Sequence, residues 1–67
     1  MSRVVKVEGI CSGAPTIKGT RIRAFMLAHY AIQAGLKQTL EDYPSVTVDD
    51  IQAAIQYVLV HPEEKDL

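Results

Sequence analysis

The chain has almost no means of covalent reinforcement, because Cys11 is the only cysteine among its 67 residues. One thiol finds no partner within the chain, so an internal disulfide is excluded. A structural zinc site is not expected either: it needs about four ligands, and Cys11, His29 and His61 fall at no metal-binding spacing. No apolar run reaches the roughly 18 to 20 residues that would span a bilayer. The opening stretch from Met1 to Val7 mixes polar and apolar residues, unlike the apolar segment of a secretory leader. Together with the lone thiol, this leads us to expect a cytoplasmic location and no membrane partner. Surplus charge is lacking as well. Seven basic and eight acidic side chains leave a formal net charge of −1, which supplies no general attraction to nucleic-acid phosphates and leaves room only for a local basic patch. Repeats and low-complexity segments are absent.

What is present is an apolar fraction of 48%, ordinary for a folded domain and too high for a disordered one. The length permits one domain, residues 1–67. A chain this short buries only about 60% of the surface it exposes when unfolded, so association with another chain is the natural way to gain burial.

The organisation shifts near Arg23. Residues 1–23 hold three of the four glycines, one proline and the β-branched clusters. Arg3 to Glu8 alternates, with Val5 and Val7 on one side and Val4 and Lys6 on the other, which predicts a short strand. Gly9, Ser12, Gly13 and Pro15 then break the chain into a loop. Thr16-Ile17 and Thr20-Arg21-Ile22 flank Lys18-Gly19, and a glycine there supplies the positive φ of a tight turn.

Helical periodicity governs residues 24–61. Ala24 to Ala34 is the first helix. Phe25, Ala28 and Ile32 form one stripe, Leu27, Ala31 and Ala34 widen it, and only His29 and Gln33 mark a polar edge. A helix apolar on most sides must be covered on most sides. From this excess we expect a homo-oligomer, most simply a homodimer. Gly35 ends the helix. Leu36 to Tyr43 is a short second helix with Leu36, Leu40 and Tyr43 on one face, stopped by Pro44. Thr47 with Asp50 three residues later fits a capping box for a third helix running to about Val60. Val48, Ile51, Ile55, Val58 and Leu59 are its expected buried stripe, and Asp49, Gln52 and Gln56 its wet face. Residues 62–67 are expected to fray. The fold class is therefore mainly α (α+β): a short N-terminal strand or hairpin, then a three-helix bundle with the outline of a helix-turn-helix.

Candidate sites are few. Lys18, Arg21 and Arg23 cluster within six residues beside the tight turn. They suit phosphates, or the carboxylates with which a metal-dependent nuclease holds its ion. Arg21 can equally serve the fold, bonding loop carbonyls or the carboxylates of the third helix. Gly13, Pro15, Gly19 and Thr20 match neither a P-loop nor a dinucleotide pattern, so they read as turn geometry. Nothing brings Cys11 and His29 together as nucleophile and base. Cys11 is expected to be a small buried apolar residue, His29 a surface or interface residue, and His61 part of the frayed end. No nucleophile, base or metal set converges, so we expect no catalysis and no cofactor. In a helix-turn-helix the third helix would enter the groove, where Gln52 and Gln56 are able to read adenine. Asp49 and Asp50 at its start oppose phosphate contact. Any DNA contact would then fall to Lys18, Arg21, Arg23 and Lys37.

The residues from Ile10 to Ile22 carry a resemblance. Gly13, Pro15, Ile17, then Gly19-Thr20-Arg21-Ile22, closely resemble the opening signature of the bacterial family named domain of unknown function 433. Asp42-Tyr43-Pro44, Val46-Thr47, Asp49-Asp50 and then Ile51, Ala53, Ala54 and Tyr57 resemble its second half. The resemblance spans nearly the whole chain from Ile10 to Tyr57, and the linked pair of motifs makes it specific. It implies a small helix-turn-helix-like antitoxin that binds and neutralises a cognate PIN-like ribonuclease toxin, with its operator DNA as a further partner. The alternative is a stand-alone DNA-binding regulator. One departure stands out: Gly35 to Leu40 is shorter than the family pattern, and Lys37 replaces a capping hydroxyl, a loss of about 1 kcal/mol for a helix.

Overall fold

The computed structural model describes residues 3–9 and 13–62. Strand β1, Val4–Val5, pairs antiparallel with β2, Thr16–Ile17, in the register Val4 to Ile17 and Val5 to Thr16. The strand expected over Arg3 to Glu8 is thus reduced to two residues, since Val7 and Glu8 have no β2 residue opposite them. On its other side β2 meets the turn that follows it. The Thr20 and Ile22 ends fold back through Thr20 N–H to the Ile17 carbonyl and Ile17 N–H to the Ile22 carbonyl, both 2.9 Å, and Thr16 bridges to Arg23. Gly19, at φ +82°, makes this reversal possible because a side chain there would be strained.

The hairpin also starts the first helix. Helix α1, Ala24–Ala34, has Arg23 at its N-cap with no side-chain cap bond, but the Ala24 N–H donates to the Pro15 carbonyl at 2.9 Å. The β-element thereby satisfies one of the helix's otherwise unpaired amides. Gly35, at φ +90°, closes α1 and opens α2, Leu36–Asp42. As expected from Lys37, α2 has no side-chain N-cap. The fully buried Thr39 bonds back within the helix, donating its hydroxyl to the Gly35 carbonyl at 2.7 Å. Tyr30 on α1 donates to Asp42, Gln38 donates to the same carboxylate at 3.1 Å, and Tyr30 meets Tyr43 edge-on at 5.4 Å. These contacts tie α2 to α1.

Helix α3, Val48–Val60, begins with the expected capping box. Asp50 N–H donates to the Thr47 hydroxyl at 3.2 Å, and Thr47 N–H to the Asp50 carboxylate at 3.0 Å. Helix α1 packs chiefly against α3 through small residues, Ala24, Ala28 and Ala31 on one side and Ala54 on the other, with Leu27 and Ile51 filling the space between them. Small residues let helix axes approach closely. Leu27 and Ile51 are at most 2% exposed, and each such burial contributes roughly 1.5–3 kcal/mol. Val4, Ile17 and Val46 close the core from the hairpin and the α2–α3 connection.

Two expected stripes are corrected. Leu59 is 73% and Val48 38% exposed, so they do not belong to the buried face of α3, and Ile32 of α1 is 70% exposed. The cause is geometric: α3 needs only one arc, centred on Asp50, Ile51 and Ala54, to meet α1 and the hairpin. Leu36 is likewise exposed, while Leu40 and Tyr43 are half-buried. His61, expected to fray, stacks on Tyr57 at 4.1 Å, and Tyr57 meets Phe25 edge-on at 6.1 Å. The expectations for Cys11 and for residues 63–67 lie outside the described residues.

Candidate partner-binding surface

The turn after β2 gathers Lys18, Arg21 and Arg23, all exposed. Its rigidity comes from threonine hydroxyls turned inward. Thr20 donates to the Ile17 carbonyl at 2.8 Å and accepts from the Ile22 N–H at 3.0 Å, and Thr16 donates to the Val5 carbonyl at 3.4 Å. An open groove of about 390 Å³ lies against the turn, lined by Val5, Val7, Thr16, Gly19, Thr20 and Arg21. Lys37 does not join this cluster. It sits on α2, beyond the far end of α1, whose 11 residues rise about 16 Å. Gln52 and Gln56 are exposed on α3, apart from the turn. The six candidate residues therefore occupy three places rather than one.

The structure adds a cation that sequence reasoning had not singled out. Arg3 donates to the Asp50 carboxylate at 3.2 Å and lies 3.5 Å from Asp49. Arg3 thus engages the carboxylates of the third helix, a role considered for Arg21. The sequence holds no local signal for a pairing across 47 positions. Arg3 offsets the acidic start of α3, and Asp49 and Asp50 no longer stand there as bare charges. Overall the charges segregate: residues 3–23 hold Arg3, Lys6, Lys18, Arg21 and Arg23 against Glu8, while residues 24–62 hold Lys37 against Glu41, Asp42, Asp49 and Asp50.

Exposed apolar side chains also contribute to the surface. On α1, Met26 is 56% and Ile32 70% exposed, and Leu36 at the α1–α2 corner is 46% exposed. Ile32 and Leu36 are four positions apart at this corner. On α3, Leu59 and Val60 are 73% and 58% exposed. Met26 and Val60 had drawn no notice as surface residues, because periodicity identifies a stripe without saying how much of it the rest of the chain covers. Among the described residues, no three His, Cys, Asp or Glu side chains gather, and no helix is long and apolar enough to cross a membrane.

A β-hairpin that starts the first of three packed helices defines a small, mainly helical domain. The chain belongs to the family described as "Protein of unknown function (DUF433)", which it matches over residues 4–58. It is similar to a solved structure, the crystal structure of a DUF433 member protein from Anabaena variabilis ATCC 29413. The identity is 31% and the TM-score 0.83 over 98% of this chain, which spans 66% of the length of that one. No curated protein matches.

Proposed function

We propose that this chain is an antitoxin: a non-catalytic binding module that acts in the cytoplasm by covering and neutralising a cognate ribonuclease toxin of PIN-like type. The observation that carries the reading is α1. It holds no charged residue in 11 positions, yet it presents Met26 and Ile32 to solvent, with Leu36 beside it at the corner. Exposed apolar side chains gathered on one element mark an interaction surface. The basic turn of Lys18, Arg21 and Arg23 complements the carboxylates with which such nucleases hold a metal ion. Co-purification with the product of the adjacent gene, and a ribonuclease assay with and without this chain, tests the reading. A stable complex with suppressed activity is expected, and Ile32→Asp should weaken it at unchanged helicity. Failure to form a complex, together with no rescue of growth when the neighbour is expressed, would overturn the reading.

A second reading, a stand-alone DNA-binding regulator, gains support from the Arg3 pairing with Asp49 and Asp50 and from the outward placement of Gln52 and Gln56. Under it the cations carry the phosphate contacts, and operator binding in a gel shift should fall for Arg21→Ala with Lys37→Ala. Binding that survives both changes removes it.

A further inference from the structure

Val7 is an apolar residue of the hairpin segment that the core does not use. It lies past the end of β1, with no β2 residue opposite it, and is 41% exposed. Val5, two positions before it, is half-buried. Both line the open groove beside the turn, together with Thr16, Gly19, Thr20 and Arg21. The groove's volume, about 390 Å³, is at the low end for a ligand site and holds a few side chains. The Thr16 and Thr20 hydroxyls donate inward, to the Val5 and Ile17 carbonyls. Among the six lining residues Arg21 alone is charged, and Lys18 and Arg23 stand on the same turn. The groove thus joins two valines to one guanidinium. Among the described residues up to Arg23, Glu8 is the one carboxylate.

We propose that this groove receives an extended acidic segment of a partner protein, with a carboxylate on Arg21 and an apolar side chain two residues from it on Val5 and Val7. Side chains two positions apart in an extended chain share a face and stand about 7 Å from each other. A guanidinium holds five N–H donors in a planar fork that matches a carboxylate, so it serves a ligand alongside contacts within its own chain. Charge complementarity selects the class of occupant, because a neutral or basic segment gains nothing from the three cations of the turn. Nucleic acid fits less well. Single-stranded bases stack on aromatic platforms, and the four aromatic residues, Phe25, Tyr30, Tyr43 and Tyr57, all lie outside the groove lining. A second copy of the chain also fits less well. Glu41 apart, the carboxylates of its helices are already engaged, Asp42 by Tyr30 and Gln38 and Asp49 and Asp50 by Arg3. The inference rests on the reading of the chain as a protein-binding module, and adds where on the hairpin and by what chemistry a partner is held.

Titration of the full chain with the capped pentapeptide Val-Ser-Glu-Ser-Val, followed by backbone amide chemical shifts, tests it. This probe carries a valine two residues from the carboxylate on either side. Shifts are expected at Val5, Val7 and Gly19 to Arg21 at millimolar peptide. The peptide with Gln in place of Glu should bind about 3- to 10-fold more weakly, as for a charge-assisted bond to an exposed arginine. Arg21→Glu should lose the acidic peptide and gain the peptide with Lys in that place, a reversal that a purely structural arginine would not produce. Val7→Asp, at an exposed position, should abolish the shifts with circular dichroism unchanged. No shift in the groove, or equal binding of the Glu and Gln peptides, overturns the proposal. So does a short oligothymidylate that produces the same shifts at lower concentration. A chain that binds the peptide but not the neighbouring gene's product keeps the groove and loses the antitoxin reading, and a toxin complex without peptide shifts does the reverse.

Discussion

Removing the Asp50 carboxylate should destabilise the chain far more than its place in a helix's first turn suggests. The residue is 8% exposed, and its two carboxylate oxygens serve two different tasks. One accepts from the Thr47 N–H at 3.0 Å and completes the capping box, while the other accepts from Arg3 at 3.2 Å and fastens the segment before β1 to α3. In Asp50→Ala the lost half of the box costs about 0.5–1 kcal/mol, within the usual range for a cap. A hydrogen bond to a charged group contributes about 1.5–3 kcal/mol. The Arg3 side chain is 50% exposed, so solvent screening brings that share to about 1 kcal/mol. The sum is about 1.5–2 kcal/mol, and for a domain of this size it lowers Tm by roughly 6–16 °C. Thermal melts followed by circular dichroism, with urea unfolding of Asp50→Ala, Arg3→Ala and the double variant, separate the two tasks. Arg3→Ala should remove only the second share, and the double variant should fall short of the sum of the singles by about 1 kcal/mol. A loss below about 0.5 kcal/mol in Asp50→Ala, or strictly additive singles, would refute the reasoning.

Two further changes probe the core and the turn. Leu27→Ala empties the centre of the α1–α3 contact at a fully buried position. It should cost about 2–5 kcal/mol, enough to leave so small a domain largely unfolded at 37 °C, with loss of cooperativity in the melt as the readout. Gly19→Ala meets no atom within 4 Å but must hold φ at +82°. The backbone penalty alone is about 1–2 kcal/mol, read as a lower urea midpoint at unchanged m-value.

The helices were legible because their signals are local. Thr47 and Asp50 announced the start of α3, Gly35 and Pro44 bounded α2, and the apolar repeat of Phe25, Ala28 and Ile32 belongs to any amphipathic helix. The turn at Lys18-Gly19 was legible for the same reason, since a positive φ demands a residue such as glycine wherever the chain goes next. The family signature from Gly13 to Ile22 and from Asp42 to Tyr57 also lies in the residues themselves. What depended on the tertiary structure was which apolar residues are covered. Ile32, Val48 and Leu59 fit a buried pattern as well as Phe25 and Ile51 do, but a bundle of three short helices offers each helix only one neighbour arc. The same holds for charge. Arg3 was one cation among seven until the hairpin laid it beside Asp49 and Asp50, and Lys37 could stand with Arg21 in one basic patch until α1 placed them at opposite ends. Periodicity ranks the faces of a helix, and only the packing of the whole chain decides which of them are left for a partner.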